Sequence, residues 1–323
     1  MVINHLDVTL DPWSVEYGSE APGVADEGDA DSQVDPGVEL PADRWRELRP
    51  AIVPRADAIV FVDGVRRIEA RLLVSDGLRV VHGAIGSFAV GAVVADGRAT
   101  FGVRDIGRVA ILGGGQTLGV PLSLGASLTY LPHSVVETEA DAPLVGLHAC
   151  MREAEERFAA RLAAEGQFVV ADGPLNISYA GTGQVVGFVK RLMRTYLDAA
   201  LLEIVTGMPL GARSPLFLIR RGRFSRYSWF VRLGTPLRME SAFTGLARLE
   251  VADSVGLARA IELANAVTSW LPAFVPSRTR DPRAPQNLMP IGALEQHLRR
   301  RLGDSRLIHR RLATLLASES VHA

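Results

Sequence analysis

Residues 58–62 (AIVFV) form an unbroken apolar run with β-branched and aromatic side chains. Such a run predicts a central strand buried on both faces. Asp63-Gly64 is expected to end it, and 67–74 (RIEARLLV) alternates as a second strand would. Further strand-like runs lie at 78–82, 87–94 and 107–112, separated by Gly and Asp turns. From about Ala142 to Glu165 the period changes. Leu147, Met151, Ala154, Phe158 and Leu162 recur every three or four residues, the mark of a helix with one apolar face that Gly166 ends. A buried strand at 168–171 (FVVA) closes on Asp172-Gly173-Pro174, and another at 185–189 (VVGFV) closes on Lys190-Arg191. Helices are expected at 192–205, 255–270, 291–302 and 305–317, with a hairpin from 216–219 and 227–233. Strands first, then strands alternating with helices, predict a mixed α/β sheet in one main domain over 45–323, preceded by an N-terminal segment, 1–44.

Composition supports a globular core: 48% of the 323 residues are apolar and 22% charged. The net charge of -1 hides an asymmetry. Residues 16–39 carry eight acids and no Lys or Arg, while much of the remainder is Arg-rich. The stretch 18–40 is expected to be a flexible acidic tail, unable to bury enough apolar surface to fold alone. The single cysteine, Cys150, excludes an internal disulfide and argues against a cysteine zinc site. The N-terminus lacks the basic and apolar regions of a secretory signal, and no run is long enough to span a membrane; both predict a cytoplasmic protein. The glycines of 113–119 (GGGQTLG) lack the Lys-Ser/Thr ending of a phosphate loop, which argues against a phosphotransferase.

Candidate chemistry lies in the carboxylates. Asp63 and Asp172 each follow a buried strand and precede a glycine. A carboxylate there is costly without compensation, and two brought together repel unless a divalent metal holds them. Ordinary Asp-Gly turns are the alternative. The helix before the second strand offers a third acid. Glu155 lies about 60° from the centre of the apolar face, whereas Glu153 and Glu156 lie about 140° and 160° away and are expected to be solvated. Glu155 equally suits a surface side chain lying along the helix. RRGRFSR at 220–226 sets Arg220, Arg221, Arg223 and Arg226 among aromatics, as a strip contacting nucleic-acid phosphates would. A charged hairpin tip over core aromatics is the competing reading.

VFVDGVRRIEARLLV, the Glu-bearing helix, QFVVADGPLNIS and VVGFVKR together resemble the NurA nucleases, and APQNLMPIGALEQHLRRRLG resembles the C-terminal end of their bacterial members. The resemblance spans roughly 45–303. It implies a ribonuclease-H-like mixed β-sheet flanked by helices. It also implies a manganese-dependent (or magnesium-dependent) DNA exo- and endonuclease in DNA end processing and repair, a homodimer working with a HerA-type hexameric ATPase. Metal ligands are implied at Asp63, Glu155 and Asp172, and a catalytic basic residue that contacts the scissile phosphate as a point charge at Lys190, for which a solvated strand-end lysine is the alternative. The family's C-terminal histidine has no match around Pro285 to Gly292; Gln286, Asn287, Glu295 and His297 are the polar candidates for a fourth contact. That departure leaves a second expectation open, a catalytically weakened interaction subunit of an ATPase complex.

Overall fold

The computed structural model describes the chain apart from residues 1, 4–5, 12–31, 55–57, 76, 78, 126–127, 176–184, 223, 282 and 319–323. Its frame is one mixed sheet of thirteen strands. The N-terminal strands are β1 (Val2–Ile3), β2 (Leu6–Leu10) and β3 (Gln33–Asp35). Three long strands follow: β4 (Ile59–Ser75), β5 (Val80–Ala95) and β6 (Ala99–Leu112). After β7 (Leu122–Ser123) and β8 (Thr129–Ser134) comes α1 (Ala142–Ala164). Then β9 (Val169–Asp172), β10 (Val185–Val189) and α2 (Ala199–Gly207) lead to the hairpin of β11 (Phe217–Arg221) and β12 (Phe224–Arg232), and to β13 (Leu246–Ala252). Three helices close the chain: α3 (Leu257–Trp270), α4 (Met289–Arg301) and α5 (Ser305–Ser318).

Across the sheet the order is β3-β11-β12-β13-β10-β9-β4-β5-β6-β8-β7, with β2 pairing the second half of β4. The contacts of β9 with β4 and with β10 are parallel, whereas β4, β5 and β6 form antiparallel ladders. Alternation along the strands assigns the two faces. Phe61, Val65, Val170, Phe188 and Leu249 pack with α3 and α4 on one face. Val60, Val62, Val169, Ala171 and Val185 pack with α1 on the other. The sheet is thus buried on both sides, which explains the continuous apolar runs.

Several expectations change. Asp63-Gly64 does not end a strand, because β5 pairs with β4 without a break there (Asp63↔Gly91, Gly64↔Val90). The chain instead keeps one register as far as Ile68 and then bulges: Ile68 faces Gly86 and Ala70 faces Ile85, leaving Glu69 as the extra residue. The bulge lets Ala70, Leu72 and Val74 enter a third cluster with Ile308 and Leu312 of α5. The helix expected at 192–205 begins at Ala199, where the Asp198 carboxylate caps it by accepting from the Leu201 N–H at 2.9 Å. β13 escaped the pattern because buried Arg248 and Glu250 interrupt its apolar residues.

Most of the acidic stretch lies outside the described residues, but its end is built into the fold. β3 adds to the edge of β11, and Glu39 accepts a two-pronged hydrogen bond from buried Arg213 (2.7 and 2.8 Å). An edge strand supplies the backbone partners, and the guanidinium offsets the buried charge. No helix among the described residues is long and apolar enough to cross a membrane.

Candidate metal and phosphate site

The parallel register of β4 and β9 sets the site. Val60, Phe61 and Val62 pair with Val169, Val170 and Ala171, so the next residues on the two strands, Asp63 and Asp172, stand side by side. Both share the parity of Phe61 and Val170 and therefore face α4. Past this point β9 ends while β4 runs on, and its edge stays open until β2 takes it up at Leu72. Side chains from the helices on both faces meet over this opening. They line a cleft of about 860 Å³ that includes Asp63, Glu155, Asp172, Lys190, Glu295 and Arg299.

Carboxylate oxygens of Asp63, Asp172 and Glu295 lie within 4.8 Å of one another. Asp63 accepts from the Gly64 N–H through Oδ1 at 2.7 Å, while its Oδ2 is buried without a hydrogen-bond partner. Asp172 Oδ1 is likewise buried and unpartnered, and its Oδ2 meets Lys190 Nζ at 2.7 Å. Lys190, one residue past β10, also reaches Glu295 Oε1 (3.4 Å) and Asn287 Oδ1 (3.3 Å). Glu295 accepts two hydrogen bonds from Arg283 (2.9 and 3.2 Å).

Burial, followed by the charges of Asp172 and Glu155, holds the Asp63 carboxyl well above its ordinary range. Burial would depress the Lys190 ammonium, but Asp172 and Asp63 outweigh it and raise the group. Neighbouring carboxylates with buried, unpartnered oxygens are the donor set that a divalent cation satisfies. Asp63, Asp172 and Glu295 fit such an ion as oxygen ligands.

Glu155 is buried, as its position on the helix suggested, but its carboxylate is not part of the convergent trio. It reaches the sheet from the α1 face, and both its oxygens accept from Arg152 Nη1 at 3.1 Å. Arg152 also donates to the carbonyls of Asp172 and Pro174. Burial raises the Glu155 carboxyl to about 7 against the opposing pull of Arg152, with Asp172 adding to the rise. Gly64 makes the approach possible. A Cβ there would lie 3.0 Å from Met151 Cγ and 3.3 Å from Glu155 Oε2. The glycine serves close packing of α1 on β4, not the sharp turn expected of it. Glu153 is exposed as expected, whereas Glu156 is buried, since α1 packs on β9 and β10 as well as on β4 to β6.

Glu295 is the one of the four C-terminal candidates that joins the carboxylates. It lies about 40–60° around α4 from Ile291 and Leu298, so the face count applied to Glu155 also points to it. His297 stacks on Phe101 with ring centroids 4.2 Å apart and does not line the cleft. Gln286 and Asn287 do line it.

The arginine strip is not brought to the cleft. β12 pairs Arg226 with Ala252, at the end of β13 remote from the residues level with Lys190. Arg226 is buried and paired with Glu250 at 3.0 Å, so its guanidinium points into the fold and away from the exposed hairpin tip. Arg220 faces Asp35 at 3.7 Å, Arg221 is exposed on the same tip, and Arg223 lies outside the described residues.

No protein-family model matches the chain, and no curated protein matches it. Among solved structures, the crystal structure of the NurA nuclease from Sulfolobus solfataricus is similar at a TM-score of 0.48 and 12% identity, over 85% of this chain and 86% of that one. At that level of likeness the chemistry of the site rests on the residues of this chain.

Proposed function

We propose that the protein is a metal-dependent deoxyribonuclease, a phosphodiester hydrolase of DNA end processing and repair with a ribonuclease-H-like core over 45–323. One observation carries the reading: ligand oxygens of Asp63, Asp172 and Glu295 converge within 4.8 Å, and each aspartate holds a buried oxygen without a partner. An all-oxygen donor set suits Mn²⁺ or Mg²⁺ rather than zinc. Asp63, Asp172 and Glu295 would hold the ion, with Glu155 serving a second position across Asp63. A bound ion supplies an acidified water and neutralises charge on the phosphate.

The protein's own groups complete the reading. Lys190 offers a point charge to a phosphate oxygen beside Asp172. Arg152 fixes Glu155 and, through the Asp172 carbonyl, the end of β9. DNA as substrate, a second copy of the chain and a HerA-type hexameric ATPase as partners, and a cytoplasmic location belong to the same proposal and draw on the motif resemblance.

A second reading has its own support. Lys190 and Arg283 already lie on the carboxylates of Asp172 and Glu295, as they would in an interaction subunit of an ATPase complex that binds no metal. Calorimetric Mn²⁺ titration, together with labelled single- and double-stranded DNA incubated with Mn²⁺, Mg²⁺ or EDTA, separates the two. The nuclease reading expects saturable metal binding and EDTA-sensitive cleavage that Asp63→Ala and Asp172→Ala abolish. Absence of both metal binding and cleavage, with and without a cognate ATPase, selects the interaction subunit.

A further inference from the structure

We propose that Arg66, Arg299 and His148 form a second anion subsite in the cleft, which takes a backbone phosphodiester neighbouring the one at the carboxylates. The identification of the anion as nucleic-acid phosphate rests on the nuclease reading; the subsite itself rests on the following geometry.

Three of the four elements that bring a carboxylate to the site also bring a nitrogen donor a short step away. On β4, Arg66 follows Asp63 by three residues, about 10 Å along a strand. On α4, Arg299 follows Glu295 by four, one turn on the same helix face and about 6 Å away. On α1, His148 precedes Glu155 by seven, two turns on one face and about 10 Å away. His148 and Arg299 line the same cleft as the carboxylates, and Arg66 stands behind its wall in contact with His148. Arg66 Nη1 lies 3.1 Å from His148 Nδ1, and the charge of Arg299, second to burial, lowers the proton affinity of Arg66.

The missing component is an acid. Arg152 is held by Glu155, and Arg283 by Glu295 and Asp281. Among the described residues, neither Arg66 nor Arg299 has an ion-pair partner. Two neighbouring guanidiniums without a counter-charge, one of them half-buried, are unfavourable until an anion joins them. Guanidiniums suit phosphate because their planar forks offer paired donors to its oxygens.

His148 sets the charge of the subsite. Arg66 can only donate, so Nδ1 of the ring accepts and the neutral ring carries its proton on Nε2. Burial, then Arg66 and Arg152, holds the imidazole down to about 4, so it is uncharged near neutrality. The subsite therefore offers two cations and a neutral N–H donor, suited to the single charge and two free oxygens of a phosphodiester.

The experiment uses the full chain in EDTA with a fluorescein-labelled twelve-nucleotide thymidine oligomer, read by anisotropy over a salt series. Arg66→Gln and Arg299→Gln should each weaken binding and flatten the slope of log affinity against log salt by about 0.7, the contribution of one single-strand phosphate contact. Arg66→Lys should keep the slope. Arg299 is exposed on its helix, so Arg299→Gln keeps the test decisive even if Arg66→Gln unfolds. Unchanged slopes, or no oligomer binding by the wild type, overturn the subsite. Unchanged slopes in a protein that cleaves DNA with Mn²⁺ overturn the subsite and leave the nuclease reading standing. Flattened slopes in a protein that never cleaves support the subsite and overturn the nuclease reading.

Discussion

Two regions of this molecule bury carboxylates, and they handle the charge in opposite ways. Glu39 is closed: both oxygens accept from Arg213, and Oε2 accepts in addition from the Leu216 N–H at 2.7 Å. Asp63 and Asp172 are open: each keeps one buried oxygen without a partner, and they stand next to each other and to Glu295. Both regions pay desolvation, but only the first recovers it within the folded chain. The contrast separates a charge that ties an N-terminal segment to the sheet from charges held ready for something from outside.

The sharpest way to break the comparison is Asp63→Asn. Metal-dependent cleavage should fall by about 10³-fold or more, equivalent to roughly 4 kcal/mol of transition-state stabilisation. Thermal unfolding in EDTA should show no loss of stability, because the amide removes repulsion; a large loss would place Asp63 with Glu39 as a structural charge. Glu39→Ala should do the reverse. It leaves Arg213 buried and unpaired, at a cost of about 3–4 kcal/mol in denaturant unfolding, with metal affinity unchanged in the protein that remains folded.

The third prediction concerns pH. The Glu155 carboxyl is raised from its ordinary 4.5 to about 7, so the metal-free fold binds that proton more tightly than the unfolded chain does. Its contribution to stability is fully present below about 4.5 and is lost as pH rises through about 7. Across that window the metal-free wild type should lose up to about 3 kcal/mol relative to Glu155→Gln in parallel urea titrations, and saturating Mn²⁺ should reduce the loss. Parallel curves would exclude a strained carboxylate. Smaller effects follow at the packing contacts. Gly64→Ala forces Met151 and Glu155 to give way and should cost about 1–3 kcal/mol, visible in thermal unfolding. Lys190→Gln removes the cation resting on Asp172, so Mn²⁺ affinity in calorimetry should rise about fivefold, near 1 kcal/mol, while cleavage falls. Weaker metal binding in that variant would assign Lys190 to holding the site together.

The sequence pattern carried the layers further than the junctions. Apolar runs located β9 and β10 within a residue, since both are short and buried on both faces. The long strands were read in pieces, because Asp63-Gly64 has the composition of a turn and only the partner strand β5 keeps it extended. Asp63, Asp172 and Lys190 were legible because a charge abutting a buried strand is conspicuous. Glu295 appeared only as one of four candidates, since its role depends on α4 lying over the face to which Asp63 points. The arginines show the limit of composition. RRGRFSR has the residues of a phosphate strip, but strand register carries it to the far end of the sheet, and Arg226 turns inward to Glu250. Arg66, Arg299 and His148 are scattered over 234 positions of the chain; Arg66 meets His148 on α1, and His148 and Arg299 share the cleft only because helices pack on both faces of the sheet.

The extra residue Glu69 has a bearing on which changes of length the chain tolerates. Before it, odd-numbered residues of β4 face α4, Asp63 among them; after it, even-numbered Ala70, Leu72 and Val74 take the third cluster. The strand is thus written in two phases joined at a single position. Deleting Glu69 removes the bulge and leaves Ile68 and Ala70 in regular alternation, so every other side chain keeps its face; deleting any single residue between 63 and 68 instead turns one half over, exposing either that apolar set or the Asp63 side of the site. An inserted residue between 63 and 68 produces the same conflict. Substitutions along β4 are graded in their effect, but a change of length away from Glu69 is all-or-none, and lineages descended from this chain are expected to vary the composition of β4 and to confine any one-residue change of length to the bulge.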